Sequence, residues 1–148
     1  MFQNERTRAA YTRYSNSHDH FFNTYSFIDS ISQMKFRAKV YEPMYDFNNK
    51  KYIRVTIPEH CVDIISKLHN SKRSLLLHEN VDDPLEGKVL KLKVPFRYRR
   101  VMCDVQGRPV QTLVKGDDVE IDITFKGYWN IENHSGFSWI LSSCSALS

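Results

Sequence analysis

Two stretches of strict alternation define the front half of the chain. In MKFRAKVYE, beginning at Met34, residues Phe36, Ala38 and Val40 share one face, and Lys35, Arg37, Lys39 and Tyr41 share the other. A period of two is that of a strand with one buried and one wetted side. YIRVTI repeats it, with Ile53, Val55 and Ile57 on one face and Tyr52, Arg54 and Thr56 on the other. The turn-rich DFNNKK lies between them, so a hairpin is the simplest connection. Pro58 then opens PEHCVDIISKLHN, where Cys61, Val62, Ile64, Ile65 and Leu68 recur at helical spacing. That spacing predicts a short helix over 58–69 with Pro58 in its first turn.

The back half returns to strands. SLLLHEN predicts one further short buried strand, and VDDPLEG a loop. GKVLKLKVPFRYRRVMCDV reads as a long strand region, QGRP as a turn and VQTLV as a continuation. KGDDVEIDITFKGYW places Val119, Ile121, Ile123 and Phe125 on one face and Asp118, Glu120, Asp122 and Thr124 on the other. GFSWILSSCSAL alternates Phe137, Trp139 and Leu141 against Ser138, Ile140 and Ser142. About six strands and one helix without a βαβ rhythm argue against a parallel sheet. The expected fold is mainly β: a small antiparallel OB-like barrel over 34–148 with one short helix. Residues 1–33, rich in Ser, Asn, Thr and aromatics with balanced charge, are expected to form an arm that docks on the body or mediates self-association.

Composition changes this picture in two ways. The chain has 148 residues, 41% hydrophobic and 26% charged, which suits one globular domain with a core of its own. No run approaches a membrane span and the N-terminus lacks a secretory apolar stretch, so an intracellular protein without a membrane partner is expected. Cys61, Cys103 and Cys144 are far apart and odd in number, which reads as free thiols in a reducing compartment. The histidines have no metal spacing, and no nucleophile, phosphate-loop or zinc-protease motif is present. Asp82–Asp83 and Asp117–Asp118 sit beside Gly or Pro, where Asp is a good turn former. Neither an enzyme nor a metal or cofactor is expected.

A net charge of +4 permits nucleic-acid binding, and its distribution points there. The outward faces offer Lys35, Arg37, Lys39 and Tyr41 on the first strand, Tyr52 and Arg54 on the second, and Lys91, Lys93, Arg97 and Arg99 on the third. Phosphates want Lys and Arg, and unpaired bases want aromatic or guanidinium planes, so the combination favours a single-stranded nucleic acid over a duplex. Strict parity puts Phe96 and Tyr98 inward, but Pro95 cannot donate to a ladder, and a bulge there would turn Tyr98 outward. The competing expectation is a solvated barrel face in which Asp118, Glu120 and Asp122 pair across strands with Lys91 and Lys93. Trp139 reads as core, whereas Trp129, in a loop-like GYWN, is the stacking candidate.

One stretch carries a resemblance. LVKGDDVEIDITFKGYWNIENHSGFSWIL combines a KGD turn, G-x-W and G-F-S-W-x-L, through Lys115, Gly116, Asp117, Gly127, Trp129, Gly136, Phe137, Ser138 and Trp139. Over about thirty residues of 148 it resembles the end of the OB-fold single-stranded DNA-binding proteins of large DNA viruses and related phages. The resemblance implies a non-catalytic protein that coats DNA strands, with DNA preferred to RNA, during replication or recombination, and the arm over 1–33 makes a homo-oligomer the expectation. Many such binders end in an acidic partner-docking tail, and SSCSALS has no acid, so that route of recruitment is not expected. A viral structural β-barrel with an N-terminal arm, or a small RNA-binding module, would use the same basic face.

Overall fold

In the computed structural model the described residues are 32–147, and nearly all of the arm expected over 1–33 lies outside them. The long elements come first and last: β1 (Gln33–Phe47), β2 (Lys50–Thr56) and α1 (Glu59–Lys72), then β9 (Asp118–Ile131) and β10 (His134–Ala146). Between them run β3 (Asn80–Asp82), β4 (Leu85–Glu86), β5 (Val89–Val94), β6 (Phe96–Arg97), β7 (Arg100–Val101) and β8 (Asp104–Gln106). Strands β10, β9, β1, β2 and β5 follow one another by antiparallel pairing. The circle closes where β10 meets β5 in parallel, Ile140 beside Lys93. Five strands closed in this order give the mainly β, OB-like barrel that the alternation predicts.

The alternating faces explain the barrel. Phe36, Ala38, Val40, Ile53, Val55, Leu90, Leu92, Val94, Val119, Ile121, Ile123, Trp139 and Leu141 are all buried inside it. Burying each large aliphatic side chain is worth about 1.5–3 kcal/mol, so the period-two pattern is the main source of stability. Helix α1 lays Cys61, Ile65 and Leu68 on this core. No helix among the described residues is long and apolar enough to cross a membrane.

Several sequence expectations are corrected. The helix begins after Pro58, not on it, and runs to Lys72. SLLLHEN is not a buried strand: a 3₁₀ turn occupies Arg73–Leu75, Leu77 is 74% exposed, and pairing begins only at Asn80. Pro109 likewise precedes a 3₁₀ turn, Val110–Thr112, where VQTLV reads as strand. The long region after Gly87 is four short strands, because Pro95 has no N–H for the ladder and Tyr98–Arg99 form a turn. Trp129 sits in β9, not in a loop.

One buried polar chain fixes α1 to the barrel. His69 is 1% exposed, stacked on Phe137 at 4.3 Å between ring centroids. The Trp139 Nε1–H donates to His69 Nε2 at 3.0 Å, and His69 Nδ1 lies 3.1 Å from Asp83 Oδ1. Indole nitrogen only donates, so Nε2 accepts and Nδ1 carries the proton toward Asp83, which selects one neutral tautomer. Asp83 also accepts from Arg73 at 2.6 Å and from the Leu85 N–H at 3.0 Å. Burial opposes its ionisation, but the bonds from His69, Leu85 and Arg73 prevail and lower its pKa from 3.8 to about 2. A depressed carboxylate pKa adds stability above the unfolded value and loses it as pH falls through the folded one. Asp83→Asn should therefore cost about 2 kcal/mol at neutral pH, a deficit that narrows between pH 4 and about 2. Urea midpoints of both proteins across that range check this.

Candidate nucleic-acid interface

The outer faces of β2 and β5 form one surface. Tyr52 lies opposite Lys93 and Arg54 opposite Lys91, with all four side chains outside the barrel. Tyr45 on β1 stands opposite Tyr52, ring centroids 5.9 Å apart. The Lys91 ammonium lies 5.2 Å from the centre of the Tyr52 ring. Two tight hairpin ends flank this face, Asn48–Asn49 between β1 and β2 and Glu132–Asn133 between β9 and β10.

Beyond Thr124 the geometry of β9 departs from simple alternation. Gly127 pairs with Ser138 while Phe125 pairs with Trp139, which leaves Lys126 as the extra residue of a bulge. Gly127, at φ 98°, takes a conformation that side chains disfavour. Inward positions are odd-numbered up to Phe125, but past the bulge Trp129 lies on the outer face, over Gly136. A groove of about 620 Å³ results, lined by Lys93, Lys126, Tyr128, Trp129, Ile131 and Ile140 among others.

The charge in this groove is unbalanced. Burial, and then the ammonium groups of Lys50 and Lys126, hold the Lys93 pKa below its ordinary value. Three lysines thus converge from β2, β5 and β9, and among the described residues no carboxylate forms an ion pair with any of them. A cluster of like charges kept without a counter-charge is a ready site for an anion.

Other basic residues are already engaged. Lys39 pairs with Asp118 at 2.8 Å. Arg54 bridges Glu42 and Glu86 at 3.1 and 3.2 Å, and Lys91 holds Asp82 at 3.0 Å. Lys35 faces Asp122 and Arg37 faces Glu120 across the β1–β9 ladder. The acids of β9 therefore neighbour the bases of β1, not Lys91 and Lys93, because β9 pairs with β1 and β10 and never with β5. Tyr41 is covered by cations, Arg54 at 5.1 Å and Lys115 at 4.9 Å from its ring centre.

The remaining sequence candidates lie past Pro95. Phe96 is half-buried rather than core, with Lys51 4.8 Å from its ring centre. Arg97, Tyr98 and Arg99 are exposed at the end of a separate β6–β7 hairpin. Of the twelve residues singled out in the sequence, the groove gathers Lys93 and Trp129, with Tyr52 directly across the ladder from Lys93. Lys50 and Lys126 are additions that sequence parity did not select.

The chain matches no family model, and no curated protein matches its sequence. Among solved structures, it is similar to the single-stranded DNA-binding protein of bacteriophage Enc34, in a C-terminally truncated form. The identity is 13% and the TM-score 0.52, over 78% of this chain and 85% of that one. This is a likeness of fold.

The glycines of the C-terminal stretch have definite work in this geometry. A Cβ on Gly136 would lie 2.5 Å from Trp129 Cζ2 and 2.6 Å from the Asp82 carbonyl oxygen. Backbone on one side and a ring on the other leave nowhere to yield cheaply. Gly136→Ala should displace Trp129 from the groove and cost about 1–3 kcal/mol. Thermal unfolding and a shift in tryptophan emission, absent in a Trp129→Phe background, measure the two effects.

Proposed function

We propose that this protein binds single-stranded DNA, largely without sequence preference, and coats it during replication or recombination without catalysing a reaction. The observation that carries the reading is the uncompensated cluster Lys50, Lys93 and Lys126 beside Trp129 and Tyr52. Phosphates neutralise the ammonium groups, and exposed bases stack on the rings. A duplex hides its base faces and would leave the aromatic half of the groove unused. The structurally similar phage protein is a single-stranded DNA-binding protein, which supports this reading, as does the use of the second and third barrel strands by OB folds. On the same reading the protein acts inside a cell, and the arm over 1–33 serves contacts between copies on the strand.

Engaged and unengaged cations separate in a salt titration. With about five phosphates neutralised, log affinity for oligo-dT should fall against log salt with a slope of about −3 to −4. Lys50→Ala, Lys93→Ala and Lys126→Ala should each weaken binding several-fold and reduce the slope by about 0.7. Lys39→Ala and Arg54→Ala, whose partners are within the chain, should leave the slope near that of the parent. Trp129→Phe should remove the fluorescence quenching that Trp139→Phe retains. Binding that ignores salt, or that is equal for duplex and single strand, contradicts the proposal; stronger binding of a matched oligo-U would reassign the ligand to RNA.

A further inference from the structure

The hairpin that follows β5 is built against local preference. Its strands β6 and β7 form a sheet of their own, separate from the barrel, with Phe96 opposite Val101 and Arg97 opposite Arg100. The Met102 N–H donates to the Pro95 carbonyl at 2.8 Å and closes the base. At the tip, Tyr98 has φ 56° and Arg99 φ 65°, both left-handed. A two-residue turn of that kind favours Asn and Gly, and bulky side chains there are strained. The β1–β2 turn uses the favoured chemistry at the same geometry, Asn48 at 52° and Asn49 at 65°.

The hairpin carries a second cost. Arg97 and Arg100 stand directly opposite one another, and like charges in that position repel. Arg97, Arg99 and Arg100 are exposed, and none forms an ion pair among the described residues. Tyr98 is 78% exposed and is the most exposed aromatic ring of the described residues. Strain and repulsion retained together at one exposed point mark a site whose benefit comes from a ligand. A polyanion with planar rings would relieve the repulsion and use the tyrosine.

We infer that this hairpin is a second contact for the same nucleic-acid strand, distinct from the groove, and that it lengthens the bound site. The inference rests on the proposed function and names where the strand goes next. Lys93, in the groove, is only two residues before the hairpin base at Pro95, and Lys51 over Phe96 ties that base to the β1–β2 end of the barrel. A strand leaving the Lys50–Lys93–Lys126 cluster toward this end meets the arginines with its phosphates and Tyr98 with a base.

Oligo length separates the two contacts. The probes are a dT oligomer of about 5 nucleotides, enough for the groove, and one of about 15, within the range for a single OB domain. The variants are Tyr98→Ala, the triple R97A/R99A/R100A, and the pair Tyr98→Asn with Arg99→Gly. Each should weaken binding of the longer oligomer about ten-fold and leave the shorter unchanged, whereas Lys93→Ala weakens both. The Asn–Gly pair should also raise the melting temperature, since it relieves the turn, so its binding loss cannot come from misfolding. A parent that binds both lengths, with hairpin variants that bind both equally well, overturns the second contact and leaves the groove intact. Equal losses on both lengths also overturn it, because the hairpin would then belong to the groove. A parent that binds neither length overturns the proposed function itself.

Discussion

The bulge at Lys126–Gly127 is the constraint on which the candidate site depends. Up to Phe125 the strand β9 obeys the barrel, with odd positions inside. A continued ladder would carry Trp129 inward and leave its side of the β9–β10 hairpin without a ring. The inserted residue reverses the parity, sets Trp129 over Gly136 on the outer face, and frees Lys126 to approach Lys93. One extra residue thus delivers both the aromatic and the cationic parts of the groove. Gly127 supplies the backbone conformation and Gly136 the space. The same strands serve the barrel as core and the surface as site, and the bulge divides the two roles.

The barrel itself needs a rigid support for that hairpin, and the buried His69 supplies it. Its ring is stacked on Phe137 and bonded to Trp139, both on β10, while Asp83 and Arg73 tie it to the segments around α1. A polar group at the centre of a core stabilises only if every lone pair and proton is matched. Here the indole donor and the carboxylate acceptor meet the two nitrogens of a single tautomer. Beside it, Asn130 accepts from the Leu77 N–H at 2.9 Å and donates to the Leu75 carbonyl at 3.2 Å, which binds the loop after α1 to the outer half of β9. Trp129 therefore rests on a hairpin braced on its inner face and at its end.

Much of the barrel was legible because alternation is a direct imprint of a one-sided sheet. Lys35 to Tyr41, Tyr52 to Thr56 and Asp118 to Phe125 fall on the faces their parity assigns. Misreadings occurred where short apolar runs lacked a period: Leu75 to Leu77 are hydrophobic, but they follow a helix end and lie half in water. Pro95 signalled a break, yet nothing in Tyr98–Arg99 has the chemistry of a turn, so the hairpin was not foreseen. The site was less legible than the fold. Which bases are neutralised depends on which strands adjoin, and register is a property of the folded pairing. Lys50 and Lys126 flank a turn and a bulge, where parity carries no information. His69, by contrast, was available: it continues the face of Cys61, Ile65 and Leu68, and a lone histidine there calls for a buried partner.

Counting basic residues on a face overstates its affinity for phosphate, and this molecule shows why. A lysine already paired with a carboxylate must give up that pair to meet a phosphate, and its transfer to a ligand leaves the carboxylate alone. Exposed pairs of this kind contribute about 0–1 kcal/mol to stability, so they cost the fold little and chiefly cancel the local field. The Lys39 pair belongs to that class, Arg54 and Lys91 are half-buried in their pairs with Glu42 and Asp82, and Lys35 and Arg37 lie beside acids across the ladder. Among the described residues, the cations without a carboxylate partner include Lys93 and Lys126 in the groove, Lys50 beside Lys93, and Arg97, Arg99 and Arg100 at the hairpin. Both groups carry a folded-state cost, since like charges are held together in each. A bound polyanion would offset such a cost, and on the proposed function it is the pattern of pairing, rather than the net charge of +4, that points to such a ligand.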